Sequence, residues 1–307
     1  MALPLRAATG GVSYAEVLTD PGETGVMRAV RGLLGAMIGV VAFTIAAPLI
    51  SYLVLAVSWA ASGSPGAFST YASAGQAMEF PAGMAAENIG LAVLIPIAFG
   101  LVVGLHRVQG RWLNSVQPGF RWRYGVVCLV VAAVVLNLVL WVSMGFRIGP
   151  VTPQPDAAWF IVVTVVTSPL QAAAEEYFFR GYLLQALAMI GRNRWVGVVV
   201  SAVVFAIFHG TQNAPLFAYR LGFGLLAGAL VVLTGGLEAG IAAHVVNNIC
   251  SFSYAALGGS VAQTMATTQI SWADSVWTLA SFAIFGALAW LAGRKMRVAT
   301  RTPAPSF

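Results

Sequence analysis

The sequence predicts an all-α fold, a polytopic membrane helical bundle of about eight transmembrane helices. Three observations carry this. Of 307 residues, 59% are apolar and only 8% are charged, against about 25% charged in ordinary globular chains. The apolar residues gather into eight runs, several near the ~20 residues that a helix needs to cross hydrocarbon. The basic residues between the runs fall almost entirely on one side when loops alternate between two faces. A soluble chain of this length would suggest roughly two domains. Here too few charges remain to cover a soluble surface, so lipid must be the solvent for much of the chain.

The runs are Leu33–Ser58, Ile89–Leu105, Tyr124–Met144, Ala158–Ala174, Trp195–Phe208, Leu216–Leu233, Gly240–Leu257 and Val276–Ala292. Residues 1–32 are polar, with Asp20, Glu23, Arg28 and Arg31 ahead of the first run. They read as a cytoplasmic N-terminal segment, not as a cleavable signal peptide, whose apolar stretch would lie closer to the start. Residues 33–157 hold the N-terminal transmembrane helices. Within them, Ala60 to Gly83 lacks Lys and Arg and is rich in Gly, Ser and Ala, which predicts a flexible extracytoplasmic connector. The fourth run continues into the mostly apolar Tyr177–Ile190, so this helix should be long or re-entrant, with Pro169 as a kink or boundary. Gly224 and Gly228 form a small-xxx-small pair suited to close helix packing. Cys128 and Cys250 lie in apolar stretches with no CxxC spacing, so neither a disulfide scaffold nor a cysteine metal site is supported. Residues 258–307 comprise the last helix and a basic cytoplasmic tail, expected to be disordered beyond Arg301, around Pro303 and Pro305.

Alternating the loops puts 14 of the 16 basic residues on one side and only Arg147 and Arg220 on the other. This predicts a multi-pass protein of the cell membrane with both termini cytoplasmic. The net charge of +6 is therefore a signature of topology. Nucleic acid is not an expected partner, because the arginines sit in short loops between apolar runs.

The chemistry lies in the second half. A charge near the centre of a membrane helix costs about 2.5–3.5 kcal/mol on insertion scales, so such residues need a partner or a task. In Ala172-Ala-Ala-Glu175-Glu176-Tyr-Phe-Phe-Arg180-Gly181, Glu176 and Arg180 are four apart and share a helix face, where they can pair. Glu175 points about 100° away and lacks that partner. A desolvated carboxyl suits a general acid or base; a stabilising Glu–Arg pair is the plainer alternative for the motif. Phe205-Ala-Ile-Phe-His209 ends an apolar helix. In Ala243-His244-Val-Val-Asn247-Asn248, His244 and Asn248 share one face, and Asn247 competes for the same role. Each motif alone is compatible with packing or interhelical glue. Together, a carboxylate, two imidazoles and a carboxamide can activate water and stabilise an oxyanion. The carboxylate and the imidazoles are also ordinary zinc ligands. Neither HExxH nor GxSxG occurs, and no serine or cysteine is evidently paired with a histidine, so a covalent nucleophile is the weaker proposal.

The succession EExxxR, FxxxH and HxxxN on successive helices resembles the type II CAAX prenyl endopeptidase family, also called the CPBP intramembrane proteases, which includes bacteriocin-processing and immunity relatives. The resemblance covers roughly Ala158 to Tyr254, and residues 158–257 are delimited as a CPBP-type protease core. It implies that Glu175 activates the attacking water with help from His209. It further implies that Glu176 and Arg180 support the site, and that His244 and Asn248 stabilise the oxyanion. It leaves the cofactor open between Zn2+ and none. The implied partners are a membrane-associated protein or peptide substrate and the lipid bilayer. The alternative is a non-catalytic membrane scaffold or bacteriocin-immunity protein of the same fold. A transporter would more often show broken helices in two repeated halves, which this sequence lacks.

The resemblance carries a geometric demand. If the fourth helix reaches Ile190, Glu175 lies about 22 Å from its cytoplasmic end and His209 about 21 Å from Trp195, at ~1.5 Å per residue. If it stopped near Ala174, the two side chains could not meet. His244 lies only a few residues into its run, so the turn at Gly235–Gly240 must dip into the protein or the seventh helix must start deep.

Overall fold

The computed structural model describes residues 4–147 and 149–303. Ten helices carry the fold: α1 (Gly25–Ala61), α2 (Phe68–Gln76), α3 (Pro81–Gly104), α4 (Trp122–Ser143), α5 (Ala157–Gly191), α6 (Arg194–Ile207), α7 (Ala214–Thr234), α8 (Glu238–Gly258), α9 (Val261–Met265) and α10 (Trp272–Lys295). Among the described residues there is no strand, only three isolated bridges.

The eight apolar runs are the eight long helices. Six of these (α1, α3, α4, α5, α7 and α10) are long and apolar enough to cross a membrane. The other two fall short for different reasons. α6 has 14 residues. α8 has 21, but its hydropathy is diluted by Glu238, His244, Asn247 and Asn248. Large apolar side chains point outward along the bundle, among them Val30, Met37, Ile45, Val130, Val166 and Ile284. A surface of this kind is solvated by lipid and not by water. The chain is a multi-pass membrane protein.

Small residues let the helices approach. A Cβ on Gly224 would lie 2.9 Å from that of Ala202, and one on Gly228 would lie 3.0 Å from Val198, so the small pair of α7 is its contact with α6, as its spacing suggests. On α1, a Cβ at Gly39 would meet the Phe178 ring at 2.8 Å, and one at Gly32 would collide with the Ala186 carbonyl. These contacts seat α1 against α5.

Four details differ from expectation. α1 begins at Gly25 and not Leu33, because the Thr24 side chain caps it by accepting from the Met27 amide. The connector after α1 is not simply flexible: it folds α2, whose Ala72 and Tyr71 pack with Leu55, Ala86 and Phe80. Of the two roles expected for Pro169, a kink or a boundary, the boundary falls away, because the residue lies inside α5. The C-terminal segment is ordered at Thr302, which is buried and exchanges backbone hydrogen bonds with Gly11 and Val12. Pro305 lies outside the described residues.

That last contact belongs to a cap closing one end of the bundle. Ser13 bridges Arg301 and Ser115 bridges Gly236. The buried Tyr14 hydroxyl donates to the Leu113 carbonyl. Arg121 grips Glu238 with Nε and Nη2 at 2.8 and 2.6 Å, and its Nη1 donates to the Thr234 and Ala299 carbonyls. Residues 234–240 are all buried beneath this cap. Gly235 takes the left-handed conformation, φ 73°, that a chain reversal there requires. α8 therefore starts inside the protein, which is how His244, six residues on, reaches α5.

Candidate active site

α5 is the backbone of the site. Its 35 residues run unbroken from Ala157 to Gly191, as the depth argument requires. Over Glu176–Leu183 it widens into a π-helix, and the Leu184 amide donates to the Phe179 carbonyl five residues back. Such widenings are rare and collect at functional sites. The segment begins one residue after Glu175, so the two adjacent glutamates straddle the change of winding.

Glu176 and Arg180 form the expected pair, with 3.0 Å between Arg180 Nη1 and Glu176 Oε1. Both are fully buried. Two ions taken out of water need further partners. Arg180 has aromatic faces, its guanidinium carbon 4.0 Å from the Phe205 ring centre and 5.1 Å from that of Phe223. Glu176 has His244, whose Nδ1 lies 3.0 Å from the same Oε1. Gly240 on α8 makes room, since a Cβ there would be 2.8 Å from Glu176 Oε2.

A carboxylate oxygen only accepts, so His244 presents Nδ1–H to Glu176, which leaves its Nε2 for the other glutamate. That Nε2 is 3.7 Å from Glu175 Oε2. The second oxygen of Glu175, Oε1, accepts from Gln171 Nε2 at 2.6 Å. Gln171 is held by Asn248, whose Nδ2 donates to Gln171 Oε1 at 2.8 Å, and Asn248 by Asn247, whose Nδ2 donates to Asn248 Oδ1 at 3.1 Å. Three amides in series thus orient one carboxylate oxygen, while the other faces His244.

Glu175, His209, His244, Asn247 and Asn248 line one cavity of about 440 Å³. Glu175 and His209 lie on the same cavity and not on opposite faces. His209 closes α6. Its Nδ1 donates to the Phe205 carbonyl at 2.8 Å, which leaves Nε2 unprotonated in the neutral ring. Its ring lies 4.5 Å from that of Phe205. Among the described residues, no three His, Cys, Asp or Glu side chains are grouped closely enough to hold a metal ion. The donors are of the zinc type, but their arrangement does not fit one.

Sequence reasoning missed Gln171, Glu87, Arg220 and the Arg121–Glu238 clamp. Gln171 was legible, since it precedes Glu175 by one helical turn and shares its face. Glu87 lines the cavity from α3 and makes no ion pair among the described residues; it was hidden in a part of the chain outside the motifs. Arg220 also lines the cavity, donating to the His209 carbonyl at 3.1 Å and to Gln212 Oε1 at 3.0 Å. The partners of Arg121 and Glu238 are 117 residues apart, a separation that no local pattern reports.

Residues 156–250 match the family described as type II CAAX prenyl endopeptidase Rce1-like. An uncharacterized protein of Bacillus subtilis (strain 168), YyaK, is 30% identical over 102 residues, a stretch that takes in 31% of this chain and 34% of the relative. The chain therefore aligns with about a third of that relative's length. No solved structure matches. The matched segment holds Glu175, Glu176, Arg180, His209, His244 and Asn248 together, so the part of this multi-pass membrane protein that carries the site is the part similar to the Rce1-like, type II CAAX prenyl endopeptidase family.

Proposed function

We propose that this protein is an intramembrane endopeptidase, a hydrolase that cuts a peptide bond in a membrane-associated protein or peptide using water activated by Glu175. The observation that carries the reading is the state of that carboxylate. It is 7% exposed and belongs to a residue that lines the cavity; one oxygen is anchored by Gln171, and the other is buried without a hydrogen-bond partner. A buried acceptor without a donor costs about 1–3 kcal/mol, and a water placed there relieves that cost.

In this mechanism Glu175 Oε2 takes a proton from that water as its oxygen attacks the scissile carbonyl carbon. His209, with Nε2 free, assists in holding the water. The oxyanion is met by an N–H of Asn248 not used on Gln171, with His244 lining the same cavity beside it. The proton on Glu175 then passes to the leaving amine. Glu176 and Arg180 touch no substrate; they fix His244. No step runs through a metal ion. The substrate need not be prenylated, because nothing in the cavity argument calls for an isoprenoid.

Glu175→Gln keeps the shape and removes the base. It is expected to lower cleavage by about 10²–10⁴-fold, read as the loss of new protein termini from membranes of cells carrying the variant. Full retention of those termini, or of the biological effect, would leave only a scaffold of the same fold.

A further inference from the structure

We propose that the cavity is entered from the end of the bundle opposite the chain's termini, the extracytoplasmic end by arginine placement, and that its substrates are membrane-anchored polypeptides cut at or just inside their extracytoplasmic boundary. This rests on the reading of Glu175 as the water-activating group.

Contacts between neighbouring helices establish which residues share an end. Asn88 donates to Thr167, the Gln154 amide donates to the Ala256 carbonyl, and the Asn213 side chain donates to the Ile270 carbonyl. The first two bring the start of α3, the first half of α5 and the end of α8 together, the third joins the starts of α7 and α10, and the Val261 amide, which donates to Gln154 Oε1 at 2.7 Å, ties the segment between α8 and α10 to the same end. The cap described above gathers residues 6–18, 107–121, 234–238 and 298–302 at the other end.

The cavity wall reaches only one of these ends. Its floor lies at mid-helix, at Phe43, Phe179 and His244, and its rim at Met78, Glu87, Thr264 and Met265. No residue of the cap lines it. A second hollow of about 490 Å³ shares Met78, Glu87 and Met265 with it and continues past Gln76 and Gln263. Exposure rises in the same direction. Glu176 and Arg180 are fully buried and Glu175 and His244 nearly so, Asn248 is half-buried, and His209, Gln76 and Gln263 are exposed. The capped end is sealed by the buried turn of residues 234–240 and by Tyr14, Leu113 and Val116. Of the 16 basic residues, only Arg147 and Arg220 belong to the open end, which the positive-inside rule assigns to the outside. Water and the polypeptide thus share a route that does not cross the cytoplasmic cap.

The test uses full-length chain in cells, with Cys128→Ala and Cys250→Ser as background. Gln263→Cys marks the rim and Arg111→Cys the cap. The probe is a membrane-impermeant maleimide bearing a bulky polyethylene glycol. Gln263→Cys is expected to react in intact cells and to lose cleavage, read as new protein termini, when modified. Arg111→Cys is expected to react only after permeabilisation and to keep cleavage. Protection of Gln263→Cys in intact cells, or its modification without loss of cleavage, overturns the proposal. Ala77→Cys, on the facing lip, gives the same readout should Gln263→Cys fail to fold. Labelling does not depend on Glu175, so the expected pattern beside an active Glu175→Gln sinks the catalytic reading alone.

Discussion

At the scale of the residue, the site is a matter of who holds which oxygen. Gln171 donates to Glu175 at 2.6 Å and accepts from Asn248 at 2.8 Å, so its amide orientation is set from both sides. Gln171→Leu keeps the packing but releases Oε1. Cleavage should fall in kcat by about tenfold with KM little changed, the pattern of an interaction that matters in the transition state; Gln171→Glu, which cannot donate when ionised, should not rescue it. Arg180 makes a different case. Its charge is compensated only inside the protein, by Glu176 and two aromatic faces. Arg180→Met strands Glu176 and should cost about 3–5 kcal/mol of stability, and the double change with Glu176→Gln should recover much of that. Thermal unfolding in detergent checks both, and equal loss in single and double variants would argue that the pair is not coupled.

At the scale of the element, helix contacts decide how far α5 can be trusted as a scaffold. A Cβ on Gly35 of α1 would collide with the Tyr182 hydroxyl, at the end of the π-helical stretch. Gly35→Ala should therefore destabilise by about 1–3 kcal/mol, the usual cost of overpacking, and Tyr182→Phe in the same chain should return part of it. Tyr182 also faces His106, with 3.1 Å between its hydroxyl and Nε2. Burial, with Arg31 and Arg6 nearby, pushes the His106 imidazole down to about 4. An unfolded imidazole titrates near ~6.5, so between these values the unfolded chain holds more protons than the folded one. The stability tied to neutral His106 is complete above that range and drains as pH falls toward 4, by about 3 kcal/mol in all. Melting temperature followed from neutral to acidic pH should show this acid limb, and His106→Gln should flatten it.

At the scale of the whole molecule, the bundle is closed at one end by a polar cap and hollow at the other. The cap is tied by the Arg121–Glu238 pair, whose Glu238 is fully buried. Because α8 starts at this pair, it also sets the depth of His244. Glu238→Ala leaves Arg121 unpaired and should lower stability by about 3–5 kcal/mol and reduce cleavage, although Glu238 does not line the cavity. Normal cleavage in such a variant would mean that α8 holds its position without the clamp.

Much of this molecule was legible before folding. Apolar composition and run length identified the membrane helices, because hydrocarbon thickness and backbone hydrogen bonding leave a chain few alternatives. The i, i+4 spacing of Glu176 and Arg180 is a local property of any helix, and so was readable. The matching depths of Glu175 and His209 followed from counting residues along a rise that hardly varies. What folding alone settled is everything that joins distant segments: the amide series from Asn247 to Glu175, the placing of Glu87 on the cavity, the helical connector after α1, and the end at which the cavity opens. Such contacts depend on how side chains from separate helices interlock in three dimensions, and one-dimensional spacing carries no record of that.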